Sequence, residues 1–129
     1  MAKVLIVDGY NAIHKIPEID SLLDESLEEA REAITALARE YQRKTGGVSE
    51  IFVVFDGRDE YRKYSFDKPG QIFSGTGEGD SRIIRLAQDK SEKFHVVVVS
   101  DDNRVGNSCR AAGATVIPVK RFHDVAAKS

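Results

Sequence analysis

Val4-Leu5-Ile6-Val7-Asp8-Gly9 is a short apolar run that ends on a carboxylate, and the chain repeats the device. Ile51-Phe52-Val53-Val54-Phe55 leads into Asp56, and Val96-Val97-Val98-Val99 leads into Ser100-Asp101-Asp102. Runs without polar alternation are what strands buried on both faces require. In an open parallel sheet the carboxyl ends of the strands lie along one edge, where ligands bind at the point of strand-order reversal. Carboxylates distant in sequence are therefore expected to meet in one crevice. A fourth, Asp80, opens the helical pattern Asp80-Ser81-Arg82-Ile83-Ile84-Arg85-Leu86-Ala87. Clustered carboxylates repel unless they are protonated or bridged by cations, and hard oxygen donors suit Mg²⁺ or Mn²⁺. The pattern predicts a metal site built from Asp8, Asp56, Asp80 and one or both of Asp101 and Asp102.

Outward from these runs, the rest of the chain reads as alternating strands and helices. Leu27, Ala30, Ile34, Leu37, Ala38 and Tyr41 recur at helical spacing, with Ser26 and Glu29 as a capping box and Gly46-Gly47 as the stop. Residues 58–70 are polar, aromatic and basic, and read as a loop ending in Pro69-Gly70. Gln71–Ser74 is a short third strand. Gly75-Thr76-Gly77-Glu78-Gly79 leads into a helix from Asp80 to Glu92, and His95–Val99 is the fourth strand. A helix over Arg104–Ala112 stops at Gly113, and Thr115–Val119 is the fifth strand. The segment from Lys120 to Ser129 has no assigned structure at this stage. Such alternation predicts βαβ units, hence one α/β domain over residues 1–129 with a mainly parallel sheet of about five strands.

With 129 residues the chain has one domain's worth of length, and its 41% apolar and 31% charged residues are ordinary for a globular protein. The single cysteine, Cys109, forbids an internal disulfide and fits a reducing, cytoplasmic setting. Its place on a helix face with Val105 and Ala112 marks it as a buried structural thiol. No apolar run approaches a membrane span, so no membrane partner is expected. The net charge of −2 means that any nucleic-acid binding must come from a local basic patch.

Singly, each carboxylate has a plainer role. Asp8-Gly9 and Asp56-Gly57 could be turns, and Asp80, Asp101 or Asp102 helix caps. Their placement along one edge of one sheet favours the joint reading. Gly75-x-Gly77-x-Gly79 lacks the spacing and the first βα turn of a dinucleotide loop, and reads as a connector. His14, His95 and His123 have no metal-ligand spacing, although His14 lies close enough to Asp8 to be weighed as a catalytic helper. Arg58, Tyr61, Arg62 and Lys63 interleave cations with aromatics, as surfaces for single-stranded nucleic acid do. Acidic neighbours nearly cancel that charge, so a solvated loop is an equal alternative. Arg82 and Arg85, one turn beyond Asp80, and Arg104, just after the third acidic cluster, are candidates for phosphate contact or for plain solvation.

Val7-Asp8-Gly9-Tyr10-Asn11, Val54-Phe55-Asp56-Gly57, Gly79-Asp80-Ser81-Arg82-Ile83 and Val98-Val99-Ser100-Asp101-Asp102 together resemble the NYN branch of the PIN-like nucleases, especially its YacP-like group. The resemblance spans residues 4 to about 119, in the family's order, and the Asn three residues after Asp8 is its most specific element. It implies a three-layer domain, a central parallel sheet flanked by helices, and divalent-metal-dependent RNA cleavage. It makes Asp8, Asp56, Asp80 and an aspartate after Ser100 the catalytic metal ligands, with Asn11 as a supporting polar group near the substrate. The family's Ser/Thr-x-Asp pattern lands on Ser100-x-Asp102, whereas strand-end geometry favours Asp101. Asn103-Arg104 depart from the family pattern, where further acidity would be expected.

The expected activity is an endonuclease on single-stranded RNA using Mg²⁺ or Mn²⁺. Two rivals stand beside it. One is a non-catalytic module that binds RNA, a ribosome or another ribonucleoprotein; the other is a metal-dependent nucleotide phosphohydrolase. Oligomeric state is open.

Overall fold

The structure, a computed structural model, describes residues 1–57, 69–75 and 77–128. Its elements are β1 (Lys3–Asp8), α1 (Gly9–Lys15), α2 (Pro17–Asp20), a 3-10 turn (Ser21–Asp24), α3 (Leu27–Thr45) and β2 (Val48–Asp56). They continue with β3 (Gln71–Ser74), α4 (Gly79–Lys90), β4 (His95–Val99), α5 (Asn103–Ala111), β5 (Thr115–Ile117) and α6 (Val119–Ala127). The predicted loop over 58–68, with Arg58, Tyr61, Arg62 and Lys63, lies outside the described residues.

All five strands are parallel, in the order β3-β2-β1-β4-β5. The chain enters at the centre, works out to β3, then returns to the other side of β1. Strand order therefore reverses between β1 and β4, which is where an open α/β sheet presents its crevice.

Strand pleating sorts the core into two layers. Leu5, Val7, Val53, Phe55, Val97 and Val99 face α1, α2, α3 and α6, against Ile13, Ile16, Ala30, Ile34, Ala38 and Phe122. Val4, Ile6, Val54, Val96 and Val98 face α4 and α5, against Ile83, Leu86, Ala87, Val105 and Cys109. The arrangement is a three-layer α/β domain. Cys109 is fully buried, and burial pushes its thiol up to about 11, so it is an inert packing residue.

Ser26 Oγ accepts the Glu29 N–H at 3.2 Å to start α3. Gly46 and Gly47 end it at φ 67° and 73°, a left-handed backbone that glycine adopts without strain.

Four elements differ from the sequence expectation. α1 and α2 fill residues 9–20, where the sequence suggested nothing beyond a possible turn at Asp8-Gly9. The fifth strand stops at Ile117 rather than Val119, because Pro118 cannot donate to a ladder and instead precedes the first turn of α6. α6 then fills the unassigned segment, burying Val119, Phe122 and Ala126. Among the described residues no helix is long and apolar enough to cross a membrane.

Candidate functional site

The carboxyl ends of β1, β2 and β4 deliver the acidic residues to one edge. β1 ends at Asp8 and turns directly into α1, an abrupt join that depends on Gly9. A Cβ at Gly9 would stand 2.5 Å from a Phe55 ring carbon and 2.7 Å from the Val54 carbonyl oxygen. Only a residue without a side chain lets α1 lie this close to β2.

Asp56 ends β2, and its Oδ1 accepts the Gly77 N–H at 2.8 Å. Gly79 packs so near Asp56 that a Cβ there would lie 3.3 Å from the Asp56 Cβ. That contact seats the first turn of α4 against the end of β2 and brings Asp80 to the edge.

Beyond Val99, the last residue of β4 paired with β1, the chain is held by the Ser100 N–H bond to the Ile117 carbonyl at 3.3 Å and by side chains. Ser100 Oγ donates to Asp8 Oδ2 at 2.9 Å and accepts the Asp102 N–H at 3.0 Å. Asp102 Oδ1 accepts the Val105 N–H at 3.0 Å and so caps α5. The Asp101 N–H donates to Asn11 Oδ1 at 2.9 Å, and Asp101 Oδ1 accepts the Val119 N–H at 2.9 Å.

Electrostatics tie the acids into one field. Burial pushes the Asp8 carboxyl up to about 6; the Ser100 hydrogen bond offsets part of this, and the charges of Asp80 and Asp102 add to it. Asp80 is also raised, first by burial and then by Asp102, with Arg104 opposing and Asp56 reinforcing. Asp102, rather than Asp101, is thus the β4-end acid whose charge presses on Asp8 and Asp80.

Asp8, Asp56, Asp80 and Asp102 are therefore brought together, with Asn11 and Ser100 among them and Arg104 within electrostatic reach of Asp80. Arg82 is half-buried and Arg85 exposed on α4. His14 is turned elsewhere: its Nδ1 lies 3.0 Å from Asp20 Oδ1, tying α1 to α2.

The donor set is carboxylate oxygen throughout, which fits a hard divalent cation. Among the described residues no three His, Cys, Asp or Glu side chains close on one point. A cavity of about 290 Å³ between α3, α6 and the sheet is lined by Lys3, Tyr41, Thr45 and Arg121 but by none of these acids.

Sequence reasoning passed over Arg31. This arginine is only 7% exposed; its Nε and Nη2 donate to the Tyr10 hydroxyl at 3.0 and 2.7 Å. Its guanidinium also lies 5.0 Å from the Phe73 ring centre. The signal was a cation beside Ala30 and Ile34, on the buried side of α3. Arg31 braces Tyr10, and with it the first turn of α1 that carries Asn11.

Comparison with known proteins agrees with this architecture. Residues 5–129 match the family described as the YacP-like NYN domain. The protein named "Uncharacterized protein YacP" from Bacillus subtilis (strain 168) is 37% identical over 89 residues, or 66% of this chain and 51% of that protein. The chain thus spans about half the length of this curated relative. The crystal structure of Rae1 (YacP) from Bacillus subtilis matches 97% of this chain and 75% of its own, with a TM-score of 0.71 and 27% identity. A single-substitution mutant of Rae1 matches 98% and 76%, with a TM-score of 0.78 and 29% identity.

Proposed function

The chain belongs to the YacP-like NYN family of PIN-like nucleases, and from that premise we propose that it is a divalent-metal-dependent endoribonuclease acting on single-stranded RNA. The observation that carries the reading is the meeting of Asp8, Asp56, Asp80 and Asp102 at the strand-order reversal. Four acids gathered there would repel a phosphodiester, so the arrangement has a use only when cations invert the local potential.

Bound Mg²⁺ or Mn²⁺ would supply Lewis-acid polarisation of the phosphate and acidification of water. Asp8 and Asp102 would hold the cation on the β1/β4 side, and Asp56 and Asp80 on the β2/α4 side. Ser100 keeps Asp8 oriented, donating to one oxygen and leaving the other for the ligand. Asn11 spends its side-chain oxygen on the Asp101 N–H, which leaves its amide N–H groups to donate to a phosphate oxygen. Arg104, with Arg82 and Arg85, supplies positive charge that positions the strand without reading its bases. Attack of water on phosphorus breaks the bond to the bridging oxygen, which leaves carrying a proton.

Labelled single-stranded RNA incubated with Mn²⁺, and in parallel with chelator, tests the reading. Cleavage should need the cation and collapse in Asp8→Asn, Asp56→Asn and Asp80→Asn. Unchanged cleavage in all three variants would refute it.

One observation favours a second reading, a non-catalytic module that docks on RNA or a ribonucleoprotein such as the ribosome: no three described acids converge on a single point. RNA binding without cleavage, with or without Mn²⁺, would select it. Hydrolysis of free nucleotides but not RNA would select a phosphohydrolase.

A further inference from the structure

We propose that Asp101 and Asn11 form a positioning clamp that fastens α6 and the end of β4 to α1, holding Asp102 in place, with Asp101 itself touching neither cation nor substrate. The inference deepens the cation-site reading but rests on geometry that exists without a cation.

The β1–β4 ladder ends at the pair Val7 and Val99, so Ser100, Asp101 and Asp102 lie beyond its hydrogen bonds. Asp8 and Asp102 sit on either side of that end and repel each other, a force that tends to open it. Besides the Ser100 N–H bond to the Ile117 carbonyl of β5 at 3.3 Å and the capping of α5 by Asp102, two contacts tie the segment across the opening. One is the Ser100 hydroxyl, placed between the two acids. The other is Asp101, which engages both flanking helices. Its N–H reaches Asn11 Oδ1 on α1, and its carboxylate takes the Val119 N–H at the start of α6, both at 2.9 Å.

The second contact is a helix-capping one, since the N–H groups of a first turn have no partner within the helix. α6 is a firm anchor. Its Val119 and Phe122 are fully buried, His123 Nε2 lies 2.6 Å from Glu18 Oε1 of α2, and Lys44 of α3 donates to the Ala126 carbonyl at 2.8 Å. Asp101 thus transfers the rigidity of a packed helix to the segment that carries Asp102. The two adjacent acids divide the work: Asp102 faces the cluster, and Asp101 holds the frame.

Amide hydrogen exchange on the metal-free protein, with Mn²⁺ titration as a second arm, tests this. Asp101→Asn keeps the oxygen that accepts from Val119 but removes the charge; Asp101→Ala removes both. The Asp102 N–H is bonded to Ser100, not to Asp101, so its exchange reports the clamp rather than the cap. Expected is exchange at Asp102 faster by about tenfold in Asp101→Ala and in Asn11→Ala, and near wild type in Asp101→Asn. Acceleration confined to Val119 would reduce Asp101 to a local cap and overturn the clamp. Asn11→Ala, which deletes the opposite end, decides the question if Asp101→Ala does not fold.

In the second arm Mn²⁺ affinity should be kept in Asp101→Asn and fall by about tenfold or more in Asp101→Ala, the usual scale for a group that orients a ligand. Equal losses in both variants would make Asp101 a ligand and overturn the proposal. A wild-type protein that binds no Mn²⁺ would defeat the cation reading alone, since the exchange arm still decides the clamp.

Discussion

Ser100 and Asp8, separated by 92 residues in the chain, are joined by a 2.9 Å hydrogen bond from the serine hydroxyl to Asp8 Oδ2. Among the described residues this bond is the contact that favours the ionised form of Asp8 against burial and two neighbouring acids. Because the same hydroxyl accepts the Asp102 N–H, one buried atom couples both sides of the crevice.

Ser100→Ala should therefore act twice. Asp8 should titrate well above its already raised value of about 6. The Asp102 N–H should also lose its partner, for a combined loss of roughly 1–3 kcal/mol. Side-chain carboxyl NMR of Asp8 against pH, with urea unfolding, checks both. An unmoved titration would mean that the hydroxyl does not tune Asp8.

Metal-free stability should fall as pH rises. Asp8 holds its proton up to about 6 in the folded protein, against 3.8 ordinarily, so the folded state binds more protons between those values. Stability is then fully present below about pH 4, declines toward about pH 6 and stays lower above it, by roughly 3 kcal/mol. Asp8→Asn cannot ionise and should lack this decline. In chelator it should match wild type in acid and exceed it at neutral pH. Urea unfolding across the range reads the difference, and a less stable Asn variant at neutral pH would contradict the sign.

Added Mn²⁺ should close most of that gap. At 100 times its dissociation constant a cation that binds only the folded state contributes about 2.7 kcal/mol. For a chain of this size that is a rise in melting temperature of about 8–15 °C. The rise should fade as pH falls through the Asp8 value, because proton and cation compete for one carboxylate, and should be absent in Asp8→Asn. A cation effect indifferent to both would place the ion elsewhere.

Gly9→Ala should cost roughly 1–3 kcal/mol, since its methyl would overlap the Phe55 ring and the Val54 carbonyl. Most of the relief must come from lifting α1 off β2, which moves Asn11. Thermal unfolding should show the loss, and the Mn²⁺ shift should shrink with it. A variant as stable as wild type would mean that the Phe55 ring can rotate away at no cost.

Arg104→Ala separates capture from chemistry. It should flatten the salt dependence of single-stranded RNA binding by about 0.7, the effect of one lost phosphate contact. It should also raise the Asp80 titration further, because Arg104 is the charge that opposes its neighbours. Fluorescence titration against salt gives the slope; an unchanged slope would return Arg104 to the solvent.

Much of this was legible in the sequence because buried parallel strands announce themselves as β-branched runs, and a run's end locates its acid. α3 was equally plain, its apolar face unbroken and its ends marked by Ser26 and Gly46. α1 and α2 were not, because Asp8-Gly9 has the chemistry of a turn. Pro17 also splits the apolar spacing of Ala12, Ile13, Ile16 and Ile19 across two short helices. α6 was hidden because Val119 continues the apolar pattern of β5, although Pro118 already marked the boundary. Between Asp101 and Asp102 the sequence pointed two ways, the Ser/Thr-x-Asp spacing to Asp102 and the strand end to Asp101. What separates them is a contact with Val119, 18 residues away, and no local pattern encodes it.

The central strand is the first one in the chain, and its two neighbours come from residues 48–56 and 95–99. A nascent chain that has emerged only as far as β3 holds β1 with one flank unpaired and Asp8 without Ser100. Neither the second core layer nor the crevice can close until about three-quarters of the sequence is available, a long-range closure of the kind that slows folding. Synthesis therefore runs ahead of function in this molecule: truncated or stalled products carry Asp8 but not the partners that position it.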